Sequence, residues 1–355
     1  MSQQWIIGKK QTGKSTYLLR QALGDIYDGK TVAWFGSEEI LSYIPKKHRE
    51  RTILFDPSDT EYPIGFNPIT DADRFVETVK GLHAMDISAP NLTLFLTAAV
   101  LSIKPQTIPN IPRFFLDKDF RGDQIMANVE SRDLRDFWEW FDHLSDRDKN
   151  SLTSSTLNKV YQFVIDDQMR NIVAQKDTLD LNDLKDKILI VPLKRTDKMS
   201  LLGSLIISSI HHSGFTGTFY LDNGHRFAPR VIMDLIEDDT SLFFANHYLA
   251  QLDDQLRDCL IGMVGTVVAF RLGVNDAQTL REAFAIEDGA NSLYHSLEQL
   301  APFQAHIVTP ERLIPQQPMP KTDRPLCPTS PRMIRDSSRM RYAKSRKKVE
   351  KLING

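Results

Sequence analysis

Near the amino end, Gly8-Lys9-Lys10-Gln11-Thr12-Gly13-Lys14-Ser15 follows the apolar run Trp5-Ile6-Ile7 and precedes the helix-favouring Thr16-Tyr17-Leu18-Leu19-Arg20. These types and spacings fit G-x-x-x-x-G-K-S/T between a strand and a helix, the context in which that pattern carries chemistry. Glycines let such a loop wrap a pyrophosphate with its backbone N–H groups, and the start of the following helix adds a favourable dipole. Gly8, Gln11, Thr12, Gly13, Lys14, Ser15 and Thr16 are therefore expected to hold the phosphates of ATP. Lys14 would reach the β/γ-phosphates and the Ser15 hydroxyl would bind Mg²⁺. The alternative is a polar turn ahead of a helix; the strand–loop–helix context favours the phosphate loop.

A phosphate loop needs a second acid for its Mg²⁺, usually at the C-terminal tip of a neighbouring strand. In Phe219-Tyr220-Leu221-Asp222 the apolar residues run directly into a carboxylate, so Asp222 is the expected partner. The competing role is an aspartate capping a turn with Asn223-Gly224. Other chemistry-bearing types are weaker. His211-His212 ends an apolar stretch and has no Cys or acid at metal-ligand spacing. The aromatics of Phe137-Trp138-Glu139-Trp140-Phe141 fall on more than one helix face and read as core or interface rather than base-stacking residues. Glu237-Asp238-Asp239 reads as a solvated helix end.

These residues must be carried by a sheet. Short apolar strands are expected at residues 5–8, 31–35 and 51–55, the last stopped by Asp56-Pro57-Ser58-Asp59, with a helix over 14–23 between the first two. The alternation indicates a parallel, helix-covered sheet. Amphipathic periodicity then predicts helices over 71–85, 92–103, 132–143 and 156–172, with turns at Pro105, Pro109, Pro112 and Lys149-Asn150-Ser151. The sheet resumes with strands at 187–193, 218–221, 241–245 and 266–270 and an apolar helix over 201–211, which makes roughly seven strands. Beyond Pro315 a run of prolines argues for an extended segment leading to a basic tail. The expected organisation is a core split between residues 1–69 and 182–314, an inserted all-helical subdomain at 70–181, and a Pro-rich linker with a basic tail at 315–355.

The 355 residues have the composition of a globular protein. No apolar run reaches membrane-spanning length, so no direct membrane insertion is expected. A phosphate loop within the first fifteen residues leaves no room for a signal peptide. Cys259 and Cys327 imply neither a disulfide framework nor a thiolate metal site. The cytoplasm is the expected location. Between Arg332 and Lys351, nine Lys or Arg stand against Asp336 and Glu350, a local charge of +7 in a chain whose net charge is −2. Such a block reads either as a flexible tail for nucleic acid or another anionic surface, or as a solvated, partly helical end.

Four segments in order resemble the FtsK–HerA superfamily of DNA-pumping ATPases, and most of all the coupling-protein type of type IV secretion and conjugative DNA transfer. They are GKKQTGKS, ILFDPSDTEYPIGFNPI at 53–69, TFYLDNGHRF at 218–227, and the block 241–284. That block contains Ala250-Gln251-Leu252 and VGTVVAFRLGVNDAQTL at 264–280. The resemblance covers about residues 5–285. It implies an α/β fold, a RecA-like P-loop NTPase core with a parallel-rich sheet and an inserted helical subdomain. It also implies Lys14 and Ser15 on phosphates and Mg²⁺, Asp222 in the metal shell, and Arg271 as an arginine finger offered to the next subunit's nucleotide, with Arg257 and Arg281 as lesser candidates. Such an arginine would neutralise charge developing on the γ-phosphoryl oxygens.

Two positions depart from that pattern. The family's water-orienting Glu after the strand Asp is here Asn223, which can hydrogen-bond a water but cannot take its proton. The family's γ-phosphate-sensing Gln at the end of the next strand is missing from Phe244-Ala245-Asn246-His247, so Asn246 or His247 would have to replace it. Glu38 or Glu39 is conceivable as an acid supplied from elsewhere, and His225 could assist. Two readings follow. One is a hexameric ring motor that grips the DNA backbone without reading sequence and translocates or packages DNA with ATP. The other is a hydrolysis-deficient scaffold that binds nucleotide, oligomerises, and recruits DNA or a partner protein through its helical insertion or basic tail. A small-molecule kinase fits less well, because no Arg-rich lid segment follows at the expected place.

Overall fold

The computed structural model describes residues 2–69, 75–76, 78–79, 90–103, 107–176, 178–194, 196–284, 295–309, 313–315 and 329–354. Nine strands form one sheet among them: β1 (Gln3–Ile7), β2 (Val32–Phe35), β3 (Thr52–Leu54), β4 (Ile188–Val191), β5 (Thr218–Leu221), β6 (Leu242–Asn246), β7 (Thr266–Ala269), β8 (His306–Val308) and β9 (Leu313–Pro315). Their order is β3-β4-β2-β5-β6-β1-β7-β8-β9. From β3 to β7 every pairing is parallel, while β7–β8 and β8–β9 are antiparallel. Strands β2, β4, β5 and β6 are buried at every residue. That is the signature of a parallel sheet covered on both faces, and it explains continuous apolar runs such as VAWF and ILIV. All seven expected strands are present. The two antiparallel ones were not anticipated: each is three residues long, and β9 ends in Pro315, which suits an outer strand.

The described helices are α1 (Lys14–Tyr27), α2 (Pro90–Ser102), α3 (Asn110–Leu116), α4 (Lys118–Asn128), α5 (Arg132–His143), α6 (Asp146–Val164), α7 (Asp167–Val173), α8 (Asp197–His212), α9 (Pro229–Glu237), α10 (Asp254–Met263), α11 (Val274–Ala283), α12 (Pro331–Tyr342) and α13 (Arg346–Asn354). None of them is long and apolar enough to cross a membrane. By packing, Met1–Phe55, Leu181–Leu193 and Ile210–Ser338 form a first unit, which holds the sheet. Asp56–Asp180, Lys194–Ser209 and Arg339–Gly355 form a second. The core of the first unit includes Ile6, Leu18, Ala22, Ile26, Trp34, Ile190 and Phe270, so α1 lies on the sheet with its apolar face down.

The second unit is built on aromatics. Trp138 lies 4.8 Å from Phe114 and 5.5 Å from Phe141, ring centre to ring centre, and its indole N–H donates to Ser102 Oγ at 2.9 Å. Trp138 and Phe141 are buried while Trp140 is 47% exposed, so the aromatic run of α5 is core on one face only. Arg121 is buried beside this cluster, donating to the carbonyls of Phe114 and Phe115 and ion-paired with Asp142. The helix expected over 71–85 lies largely outside the described residues.

Three expectations are corrected here, the first being the turn at Pro112, which lies within α3. Lys149-Asn150-Ser151 is not a turn but lies inside α6. Ser145 caps that helix by accepting from Asp148 N at 3.2 Å, and Lys149 Nζ donates back to Asp142 O at 3.0 Å. The chain instead breaks at Asp166, which accepts from Met169 N at 3.0 Å to start α7, so the helix expected over 156–172 is two helices.

Of the two readings of the basic block, the helical end is the one found, for it forms α12 and α13, and it is packed rather than wholly solvated. Ile334 and Val349 are fully buried. Its cations meet acids far away in sequence: Arg335 pairs with Glu38, Arg339 with Asp59 at 2.6 Å, and Arg346 with Asp167 at 3.6 Å. The buried Ser338 hydroxyl accepts the N–H of Leu54 at 2.9 Å, covering a backbone donor of the terminal strand β3. Ser338→Ala leaves that donor without its partner. It is expected to lower stability by about 1–3 kcal/mol, read as a shift of the urea unfolding midpoint.

Candidate phosphate-binding site

Strand β1 delivers the loop. Gly8 follows it directly, and an added Cβ there would meet Phe270 Cβ at 2.6 Å, so only glycine lets the loop leave the sheet this close to the neighbouring strand's end. Thr12, fully buried, folds the loop by donating from Oγ1 to Lys9 O at 2.8 Å. Gln11 (φ 61°) and Gly13 (φ 115°) take left-handed backbone conformations. Gly13 is the N-cap of α1 and makes no side-chain cap, so the first-turn N–H groups keep their capacity for an external acceptor. Thr16 lies in that first turn, half-buried.

Lys14 turns back into its own loop. Its Nζ donates to Gly8 O at 2.6 Å and Lys9 O at 2.7 Å, and the residue is 5% exposed. Burial lowers its pKa from 10.5 to about 8, a shift the Asp222 charge partly offsets. Ser15 is exposed, and its Oγ donates to Asp222 Oδ1 at 3.2 Å and Oδ2 at 3.1 Å. Asp222 reaches this point because β5 stands two strands from β1, across β6. The Asp222 backbone N–H donates to Phe35 O at 2.9 Å, extending the β2–β5 ladder to the carboxylate-bearing residue. The structure thus brings Gly8, Gly13, Lys14, Ser15 and Asp222 together. A hydroxyl and a carboxylate side by side are hard oxygen donors of the kind Mg²⁺ takes when phosphates and waters fill its other positions. Among the described residues no cluster of three or more His, Cys, Asp or Glu forms a metal cage.

Asn223 follows with φ 61°, starting the turn Gly224–Arg226. Asn246, at the tip of β6, is fully buried with both ends of its amide engaged. Its Oδ1 accepts from Trp5 Nε1 at 2.7 Å, and its Nδ2 donates to Tyr248 O at 2.9 Å. Of the two residues expected to replace the sensing Gln, Asn246 is therefore held in the strand tip. The His247 ring lies 5.8 Å from that of His225.

Gln251 ties these segments together. Its Oε1 accepts from His247 N at 2.8 Å, and its Nε2 lies 3.1 Å from His225 Nε2. Gln251 was visible only as part of Ala250-Gln251-Leu252 and carried no chemical signal of its own. Glu38 is ion-paired with Arg335, and Glu39 accepts from the Tyr43 hydroxyl at 3.4 Å. Arg271 lies just past β7, against the phosphate loop of its own chain, its carbonyl accepting from Lys9 N at 2.8 Å. Its Nε is buried and makes no hydrogen bond among the described residues. Asp276 also stands near the loop. Burial raises its carboxyl pKa, while the Leu249 N–H, which it accepts at 3.3 Å, and the Lys9 charge act against that.

Neither the sequence models of known protein families nor curated protein sequences contain a match to this chain. Its fold, a mostly parallel sheet with a glycine-bearing loop and a helix after β1, is a RecA-like α/β fold similar to those of the conjugative coupling protein TrwB and of VirB4. The unbound bacterial conjugative coupling protein TrwB superposes with a TM-score of 0.63 at 14% identity, over 91% of this chain and 87% of that one. TrwB in complex with ADP and Mg²⁺ gives 0.59 at 12%, over 91% and 87%. VirB4 of Thermoanaerobacter pseudethanolicus gives 0.57 at 12%, over 90% and 89%. At such identities the likeness is one of fold.

Because the folded chain holds the Lys14 proton less tightly than the unfolded chain, this residue makes stability rise with pH from about 8 to 10.5. Lys14→Met removes that contribution. The stability difference between parent and variant, measured by urea unfolding across this interval, is expected to move in the parent's favour as pH rises.

Proposed function

We propose that this chain binds Mg-ATP in the loop after β1 and works as a ring-forming motor that translocates or packages DNA. One observation carries the nucleotide part: Lys14 and Ser15 open α1, and the Ser15 hydroxyl sits on the carboxylate of Asp222. In this reading the backbone N–H groups from Gly8 to Thr16 cradle the phosphates, and Lys14 exchanges its loop carbonyls for phosphate oxygens. Ser15 and Asp222 would hold a Mg²⁺, which would supply positive charge against the phosphates.

The DNA part rests on the sequence resemblance and on the likeness of fold to a conjugative coupling protein. In a hexameric ring the grip would be on the phosphate backbone, without base readout. Arg332, Arg341, Lys347, Lys348 and Lys351 are exposed on α12 and α13 and supply cations for such contacts or for a protein partner. Arg271, beside its own loop, would act on the nucleotide of its own chain or, through ring closure, on a neighbour's.

A second reading has its own support. Asn223 replaces the general base and Asn246 is locked to Trp5 and Tyr248, which fits a nucleotide-holding scaffold that turns over slowly or not at all. Bound nucleotide would then stabilise the assembly by linkage.

Lys14→Ala is expected to abolish Mg-ATP binding in a titration; unchanged affinity would refute the phosphate-loop assignment. Steady-state phosphate release, with and without DNA, separates the two readings. DNA-stimulated release by the parent supports the motor. Release only by Asn223→Glu, with a gain of about 10²–10⁴-fold, supports the scaffold.

A further inference from the structure

Phe303 sits at the mouth of the phosphate loop and has no part in the chemistry described so far. Its backbone is left-handed at φ 65°, a conformation rarely adopted by bulky L residues. A closed turn holds it there, with Gln304 N donating to Ala301 O at 3.1 Å and Ala301 N to Gln304 Oε1 at 3.2 Å. The Phe303 N–H donates to Thr12 O at 2.7 Å, so this turn is fastened to the phosphate loop itself. Its ring carbon Cδ1 would lie 3.0 Å from a Cβ placed on Gly13, which puts the ring directly against the residue that caps α1. Yet Phe303 is 45% exposed, so the ring is not core.

The sheet order gives this placement a direction. Asp222 reaches the loop from β5, on the β6 side of β1, whereas Phe303 precedes β8 and reaches it from the β7 side. A nucleoside triphosphate whose metal-bearing end lies at Ser15 and Asp222 has its sugar and base at the other end of the phosphate chain. The opposite flank of the loop is where an open aromatic ring stands.

We infer that Phe303 is the base platform of the site, stacking the nucleobase of a bound nucleoside triphosphate. This rests on the nucleotide reading above and deepens it. Every base has a π-face, so such a platform takes adenine and guanine alike.

The test compares three probes on the full chain with Mg²⁺: ATP, GTP and inorganic triphosphate. Phe303→Ala is expected to weaken ATP and GTP by about tenfold or more and to leave inorganic triphosphate unchanged, while Phe303→Tyr keeps parental affinity for all three. In Phe303→Trp, ATP should quench the introduced indole's emission and inorganic triphosphate should not. The inference is overturned if Phe303→Ala weakens inorganic triphosphate as much as ATP, since the ring then only props the loop. It is equally overturned if ATP affinity is untouched in Phe303→Ala or no base-dependent quench is seen in Phe303→Trp. A parent that binds neither ATP nor inorganic triphosphate refutes the phosphate-loop reading and this inference with it, an outcome distinct from failure of the platform alone.

Discussion

Parallel pairing through β6 holds the ends of β1 and β5 at one edge of the sheet, and the site depends on that constraint. Ser15 and Asp222 are 207 positions apart, yet their side chains meet because each follows the carboxyl end of a strand in the same parallel array. Parallel sheets gather their loops at that edge, which is why ligands settle there. The alternation of side chains makes the arrangement sensitive to register, since a one-residue slip of β5 would send Asp222 to the other face. Burial of the strands on both sides is what forbids the slip.

The same closeness sets the shape of the loop. Phe270 comes so near that position 8 has no room for a side chain, and the loop must turn sharply over it. Lys14 is drawn inward onto two carbonyls, at the expense of a partly desolvated ammonium group. The surrounding fold sustains that expense; it holds a cation beneath an open row of N–H groups, a concentration of positive potential aimed at one point.

The turn from β1 into α1, the place of Asp222 at the end of β5 and the seven parallel strands were legible because their signals are local: apolar runs with abrupt ends, and a motif set between a strand and a helix. What escaped had non-local causes. Ser145 caps α6 from upstream of Lys149-Asn150-Ser151, whose composition alone says turn. Residues 331–354 carry the charge of a tail, but their partners Glu38, Asp59 and Asp167 lie far back in the sequence, and only a few side chains such as Ile334, Ser338 and Val349 are buried. Strands β8 and β9 are too short for periodicity to register. Gln251 and Phe303 are ordinary residues whose meaning comes from what they touch. The resemblance in four segments and the likeness of fold agree, although no family's sequence pattern is met.

The amide of Asn246 carries a consequence for how such a chain can change. Both its ends are committed, one to the indole of Trp5 on the adjoining strand and one to the backbone beyond β6. Lengthening that side chain by a single methylene, as in Asn246→Gln, would overfill a closed strand tip and strand the Trp5 donor. Positions 5 and 246 are therefore thermodynamically coupled, and the cost of a substitution at one depends on the residue that stands at the other.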